Sequence, residues 1–245
     1  EICACLVGSE MCIRDSLYIT MAFFMSIGKE REERAFNVLN LPGYNIGNFT
    51  MPFAQSFLGP VGVVATSLFD TGNAVIALGG SYSIGAKVKN REKKFSFIPL
   101  CKTLLCSVPF DAYLFMYVLY WLHLSLPAPV LNIAQLVANA NAFLAMLMLG
   151  VGFKLSGDRT QMSKIMKMLG VRYGVAVLTA AAFYFLLPFS LEYRQALAVL
   201  VFSPIAVAAP AFTADMKGDI NLASAVNSLS IIISMVCITL SLIHI

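Results

Sequence analysis

The side chains able to do chemistry in this chain are mostly uncharged amides set close to prolines. Asn45, Gly47 and Asn48 precede Pro52 in the run Tyr44-Asn45-Ile-Gly47-Asn48-Phe-Thr-Met-Pro52. A second proline, Pro210, closes the run Pro204-Ile-Ala-Val-Ala-Ala-Pro210. Both prolines fall in stretches long and apolar enough to cross a bilayer. A proline inside a helix removes a backbone donor and clashes with the preceding turn, so each stretch is expected to kink or break there. In lipid, freed backbone groups are tolerated only where protein or a water-filled cavity satisfies them. The half-helix ends then present N–H groups suited to an anion and carbonyls suited to Na⁺ or a proton-bearing water. Asn45 and Asn48 can bind a carboxylate or mend the broken backbone, and Gly47 allows close approach.

Other candidates lie in neighbouring apolar runs. Asp70 sits mid-run in Ser67-Leu-Phe-Asp70-Thr-Gly-Asn73. An ionisable group at that depth is expensive and functional by default. Asp70 could carry a coupling proton or hold a cation, with Asn73 on the same helical face. A hydrogen-bonded structural Asp is the alternative. Asn139 and Asn141, in Val137-Ala-Asn139-Ala-Asn141-Ala, read equally as substrate contacts or as polar residues in close helix packing. The candidate substrate contacts are therefore Asn45, Gly47, Asn48, Asn139 and Asn141. Pro52 and Pro210 are the expected helix breaks, and Asp70 with Asn73 the expected ion-coupling pair. No metal-ligand spacing, nucleophile–base pair or Gly-x-x-x-x-Gly-Lys-[Ser/Thr] loop is present, so no catalytic residue, metal or cofactor is assigned.

The elements that position these residues are membrane spans. The 245 residues are 59% hydrophobic and 12% charged, with a mean hydropathy of +0.79. Soluble domains carry about 25% charged residues. Eight apolar spans are read, at 17–27, 35–58, 61–84, 103–124, 131–153, 171–187, 195–214 and 222–239. An amphipathic segment at 154–169 precedes the sixth and is expected to lie along the membrane face. With alternating spans, Lys29, Arg31, Arg34, Lys87 to Lys94, Lys154, Arg159, Lys164, Lys167, Arg172 and Lys217 fall on one side, and Arg194 alone on the other. The positive-inside rule makes the first side cytoplasmic, in a multi-pass protein of the inner or plasma membrane. The Lys87–Lys94 cluster then sets topology, and no nucleic acid partner is expected.

The two ends read differently. Met11-Cys-Ile-Arg-Asp-Ser16 and Leu240-Ser-Leu-Ile-His-Ile245 can be translated from one DNA sequence in opposite orientations. That sequence resembles a transposase adapter used for sequencing libraries. Residues 1–16 and 240–245 are therefore expected to be adapter translation around a fragment. Setting them aside removes Arg14, Glu1, Glu10 and Asp15 and raises the formal net charge of +4 by two.

Three motifs together resemble the auxin efflux carrier family, bacterial type. Arg34-Ala-Phe-Asn-Val-Leu-Asn-Leu-Pro-Gly-Tyr-Asn45-Ile-Gly47-Asn48-Phe-Thr-Met-Pro52 is similar to that family's fourth span. Leu147-Met-Leu-Gly-Val-Gly-Phe-Lys-Leu155 resembles the end of its seventh, and Ala208-Ala-Pro210-Ala the crossover in its ninth. The resemblance covers residues 17–239. It implies an all-α polytopic bundle of inverted five-helix repeats with two crossed broken helices, NhaA-like and bile-acid-symporter-like, here truncated at its N-terminal side. Residues 17–85 would close the first repeat (spans three to five), 86–102 form the cytoplasmic loop, and 103–239 make the second repeat (spans six to ten). The implied activity is secondary active transport of a small organic anion, such as a carboxylate, with H⁺ or Na⁺ as coupling partner. A homodimer stays open. The alternatives are a sodium-coupled bile-acid-symporter-type carrier and a channel or receptor-like membrane protein.

Overall fold

A computed structural model describes residues 2–90, 108–151 and 159–244 of the protein. All its regular elements are helical. Extended pairing among the described residues is confined to one isolated antiparallel bridge, Tyr44 to Ile205. In chain order these are α1 (Ile2–Met25), α2 (Arg31–Asn40), a π-turn (Ile46–Thr50), α3 (Met51–Phe57), α4 (Gly59–Val75), a second π-turn (Ile76–Gly80) and α5 (Ser81–Lys89). Then follow α6 (Val108–Trp121), α7 (Ala128–Val151), α8 (Arg159–Leu186), α9 (Leu191–Leu200), α10 (Ala208–Asp215) and α11 (Ile220–His244). Residues 91–107, with Cys101, Cys106 and most of the expected cytoplasmic loop, lie outside the described residues, as does the start of the amphipathic segment. Helix α1 runs unbroken through residues set apart as adapter, and carries Arg14 and Asp15 buried.

The all-helical class follows from the sequence, but the breaks fall elsewhere than Pro52 and Pro210 suggest. The expected span 35–58 is α2 and α3 separated by an unwound Leu41–Asn45. The expected span 195–214 is α9 and α10 separated by an unwound stretch centred on Ser203 to Ala206. Pro42 and Pro204 lie inside these gaps. Pro52 and Pro210 instead lie in the first turns of α3 and α10. A first turn needs no donor from that position and its backbone angle suits proline, so proline starts a half-helix more readily than it divides one. Upstream of Pro52 the chain widens into the π-turn, where the Met51 N–H reaches Ile46 O.

Local signals set the other ends. Gly59 adopts φ of +63° between α3 and α4, and Pro60 follows in the first turn of α4. Asp219 caps α11, its Oδ1 accepting the Leu222 N–H at 3.0 Å. Thr66, Ser67, Thr71 and Thr179 donate their hydroxyls to the carbonyl one turn back, so they stay satisfied inside apolar helices.

Polarity is arranged with amides and hydroxyls inside and large apolar side chains outside. Asn37, Asn40, Asn45, Asn73, Ser203 and Ser230 are buried, whereas Leu178, Phe185 and Leu186 of α8 are 73%, 74% and 78% exposed. Water disfavours such a surface, and lipid does not. Two stretches, Gln161–Leu186 and Ile220–Ile243, are long and apolar enough to cross a membrane. At about 1.5 Å per residue, each exceeds the ~30 Å hydrocarbon core.

The packing centres on the two broken paths. Helix α2 lies against α5 and α10, α9 against α4 and α8, and α10 against α11. Val38, Leu41, Tyr44, Ile46, Phe69, Leu197, Leu200 and Ile205 form one buried cluster around the gaps.

Candidate functional site

The two unwound segments meet and pair with each other. Beside the Tyr44–Ile205 bridge, the Asn45 N–H donates to Pro204 O at 2.9 Å. The Thr50 and Ser203 hydroxyls are 2.6 Å apart. Farther along, Asn40 Nδ2 of α2 donates to Thr213 Oγ1 of α10 at 3.2 Å. The antiparallel sense of the bridge means that the two broken paths run in opposite directions where they touch.

Each gap is also held by the helix that follows it in the chain. Asn73 of α4 grips the first: Tyr44 N–H donates to its Oδ1 at 2.9 Å, and its Nδ2 donates to Tyr44 O at 2.8 Å. One amide thus replaces both helix bonds that Tyr44 has lost. Helix α11 grips the second. The Ile205 N–H donates to Ser230 Oγ at 3.1 Å, and Asn227 Nδ2 approaches Ala206 O at 3.5 Å.

A third hold comes from Arg172 of α8, which is 1% exposed. Its Nη1 donates to Leu41 O, and its Nη2 donates to both Gly43 O and Ser203 O at 3.1 Å. The guanidinium carbon lies 4.5 Å from the Tyr44 ring centroid and 5.6 Å from that of Tyr18. On sequence grounds Arg172 belongs with the basic cytoplasmic connector. The structure corrects this, because its acceptors come from gaps far away in the chain.

The expected site residues divide into two groups. Asn45, Gly47, Asp70 and Asn73 come together at the first gap. Asn45 is buried, and its Nδ2 has no hydrogen-bond partner. A Cβ built on Gly47 would stand 3.4 Å from Asp70 Oδ2, so a larger residue there would crowd the carboxylate. Asp70 is half-buried, and its Oδ1 accepts from Asn73 Nδ2 at 3.4 Å. With both amide atoms engaged by Tyr44, Asn73 works as a backbone clamp and not as a free ion ligand. The remaining candidates stand apart. Asn48 is exposed on the π-turn. Asn139 is exposed on α7 and accepts from Gln135 Nε2 at 3.0 Å. The Asn141 side chain lies outside the described residues. Pro52 and Pro210 touch the site only through the half-helices they begin.

Sequence reasoning singled out Asn227 with Ser228 in the last span, but did not find Arg172, Ser230, or Pro42 and Pro204 as the residues of the gaps. Asn227 Oδ1 is, like Asn45 Nδ2, buried without a partner. A buried amide left half-satisfied is a costly feature that a ligand can relieve. Among the described residues, no cluster of three His, Cys, Asp or Glu could hold a metal ion.

Gly43 is the left-handed backbone position of the first gap. It adopts φ of +76°, and a Cβ there would lie 3.5 Å from both Ala206 Cβ and Ala77 Cα. Gly43→Ala would therefore force a left-handed backbone on alanine, at a cost of about 1–2 kcal/mol. It should lower the melting temperature by roughly 3–6 °C. Gly59→Ala, at φ of +63° with open space around it, isolates the backbone part of that loss. Equal melting of Gly43→Ala and wild type would show that the gap is not under this constraint.

Comparison with known proteins returns no matching family model, no matching curated protein and no matching solved structure.

Proposed function

We propose that this chain is a secondary active transporter of the auxin-efflux-carrier type, a multi-pass permease that moves a small organic anion by alternating access. The observation that carries this reading is the antiparallel meeting of two broken helices, Tyr44 against Ile205, beside the buried and unpartnered Nδ2 of Asn45. Interrupted helices that cross near mid-depth are the usual substrate and coupling site of secondary transporters.

An internal repetition adds support. Helix α1, the broken pair α2–α3 and the clamping helix α4 play the parts that α8, the broken pair α9–α10 and α11 play again. The first members of the two sets also touch, with Tyr18 Oη donating to Arg172 O at 3.1 Å. Inverted repeats give a carrier two states of similar energy, with the same contacts exchanged between its two halves.

The chemistry of the site favours an anion. Asn45 Nδ2 offers a donor with no competing partner, and Arg172 places a fixed positive charge behind the same gap. A carboxylate can accept from the amide while the guanidinium stabilises its charge at a distance. Lipid surrounds the apolar outer face. The drive is the membrane potential or an ion gradient.

The deciding experiment is counterflow into proteoliposomes loaded with unlabelled acid, using labelled malonate, malate and indole-3-acetate as probes. A carrier gives saturable uptake that the internal acid accelerates. Rapid conductance without saturation or exchange would replace this reading with a channel.

In this reading Asp70, half-buried beside the first gap, is the candidate carrier of a coupling proton. Asp70→Asn should flatten the dependence of flux on external pH while leaving membrane abundance unchanged. An unaltered pH profile would remove Asp70 from coupling.

A further inference from the structure

The three carbonyls held by Arg172 are among those that the helix breaks set free. In a continuous helix Leu41 O would accept the Asn45 N–H, but that N–H donates to Pro204 O instead. Gly43 O and Ser203 O lie within the gaps and likewise have no helical partner among their own turns. Two come from the first gap and one from the second, and all three point at a single guanidinium. Such a convergence of freed carbonyls is what an alkali cation seeks in a broken-helix transporter. Among the described residues Arg172 makes no ion pair within 4 Å; Asp15, the buried acid of α1, is bonded to Arg14 and acts on Arg172 only through space. The nearest groups that meet its positive charge are the carbonyl dipoles and the rings of Tyr44 and Tyr18.

We infer that Leu41, Gly43 and Ser203 form a cation subsite whose cation is Arg172 itself, so that this chain binds and moves its anion without Na⁺. A tethered guanidinium differs from Na⁺ in one decisive way: it cannot leave with the substrate. The subsite therefore contributes fixed charge and a joint between the two gaps, and leaves no vacancy for a coupling sodium. All four residues lie within 17–239. The transport half of this inference rests on the carrier reading above, whereas the filled subsite stands on geometry alone.

The test reads the subsite without needing flux. The purified 245-residue chain is melted in detergent in sodium chloride, choline chloride and methylguanidinium chloride of equal ionic strength. Wild type and Arg172→Lys should melt alike in sodium and choline, since a tethered cation is already present. Arg172→Ala and Arg172→Gln should melt at least about 4 °C lower in choline. Sodium or methylguanidinium should restore half or more of that loss. A neutral variant recovered as folded protein only in methylguanidinium would support the inference equally.

Three results would overturn it. Sodium could raise the melting temperature of wild type, which would reveal an open cation site. The neutral variants could melt identically in all three salts, or fold in none. In the second arm, labelled malonate counterflow by wild type should be equal in sodium and choline, and flux that requires sodium also overturns the inference. Absence of counterflow in both salts would remove the carrier reading while the melting data still decide whether the subsite is filled.

Discussion

Asn73→Leu is expected to lower the melting temperature of the protein by about 10 °C. Leucine keeps the branching and heavy-atom count of the side chain and removes both of its hydrogen bonds to Tyr44, at 2.9 and 2.8 Å. The Tyr44 N–H and C=O are then orphaned in a site where Tyr44 is 3% exposed and water cannot substitute. Each unsatisfied buried group costs about 1–3 kcal/mol. Together they amount to roughly 4 kcal/mol, which for a chain of this size corresponds to about 8–16 °C. The Tyr44–Ile205 bridge should loosen with them, because Asn73 holds Tyr44 in the extended conformation that the bridge requires. Asn139→Leu provides the contrast. Asn139 is exposed and accepts a hydrogen bond from Gln135 of its own helix, so its replacement should move the melting temperature by less than about 2 °C. Melting of both variants in the same detergent checks the pair. If Asn73→Leu melts within 2 °C of wild type as well, on the order of its own control, the clamp does not hold the gap.

The reach of sequence reasoning in this protein follows from how local each signal is. The helical class and the apolar exterior were legible because they depend on composition and run length alone. The broken paths were legible too, because no other residue interrupts an apolar run as proline does. Their exact positions were not. Each path carries two prolines, Pro42 and Pro52 in one, Pro204 and Pro210 in the other, and proline is compatible both with a gap and with the first turn after it. Only packing against α4 and α11 selects Pro42 and Pro204 as the gap residues.

Asp70 and Asn73 could be placed on one face, since three residues along a helix bring side chains together, and they meet at 3.4 Å. That Asn73 spends its amide on Tyr44 is a contact 29 residues away in the chain, with no local trace. Arg172 is the clearest case. It follows a basic connector at the start of an apolar run, where an arginine ordinarily reports topology. Its acceptors lie 131, 129 and 31 residues away, so nothing near it in the sequence distinguishes a charge on the membrane face from one at the centre of the bundle.

Asn45 offers the sharpest separation between holding the fold and holding a ligand. Its backbone is structural, since the N–H donates to Pro204 O at 2.9 Å, and any residue other than proline preserves that bond. Its side-chain Nδ2 is buried with no partner, so the folded protein gains nothing from it. Removing a buried polar group that lacks a partner is neutral or stabilising. Asn45→Ala should therefore melt at or slightly above the wild-type temperature. If the unpaired amide awaits the carboxylate of a transported anion, the same change deletes one charge-assisted hydrogen bond from the bound state. Such bonds contribute about 1.5–3 kcal/mol, so half-saturation in the counterflow assay should rise on the order of ten- to a hundredfold. Asn45→Asp carries the idea further. It is close in size to asparagine, but places a negative charge where the anion would bind, and should abolish uptake by repulsion while still reaching the membrane. Asn48→Ala, on the exposed side of the same π-turn, should change half-saturation less than Asn45→Ala does. The outcome that sinks the assignment is a parallel loss, in which Asn45→Ala lowers melting temperature and uptake together, because the amide would then be mending the break and not waiting for a ligand.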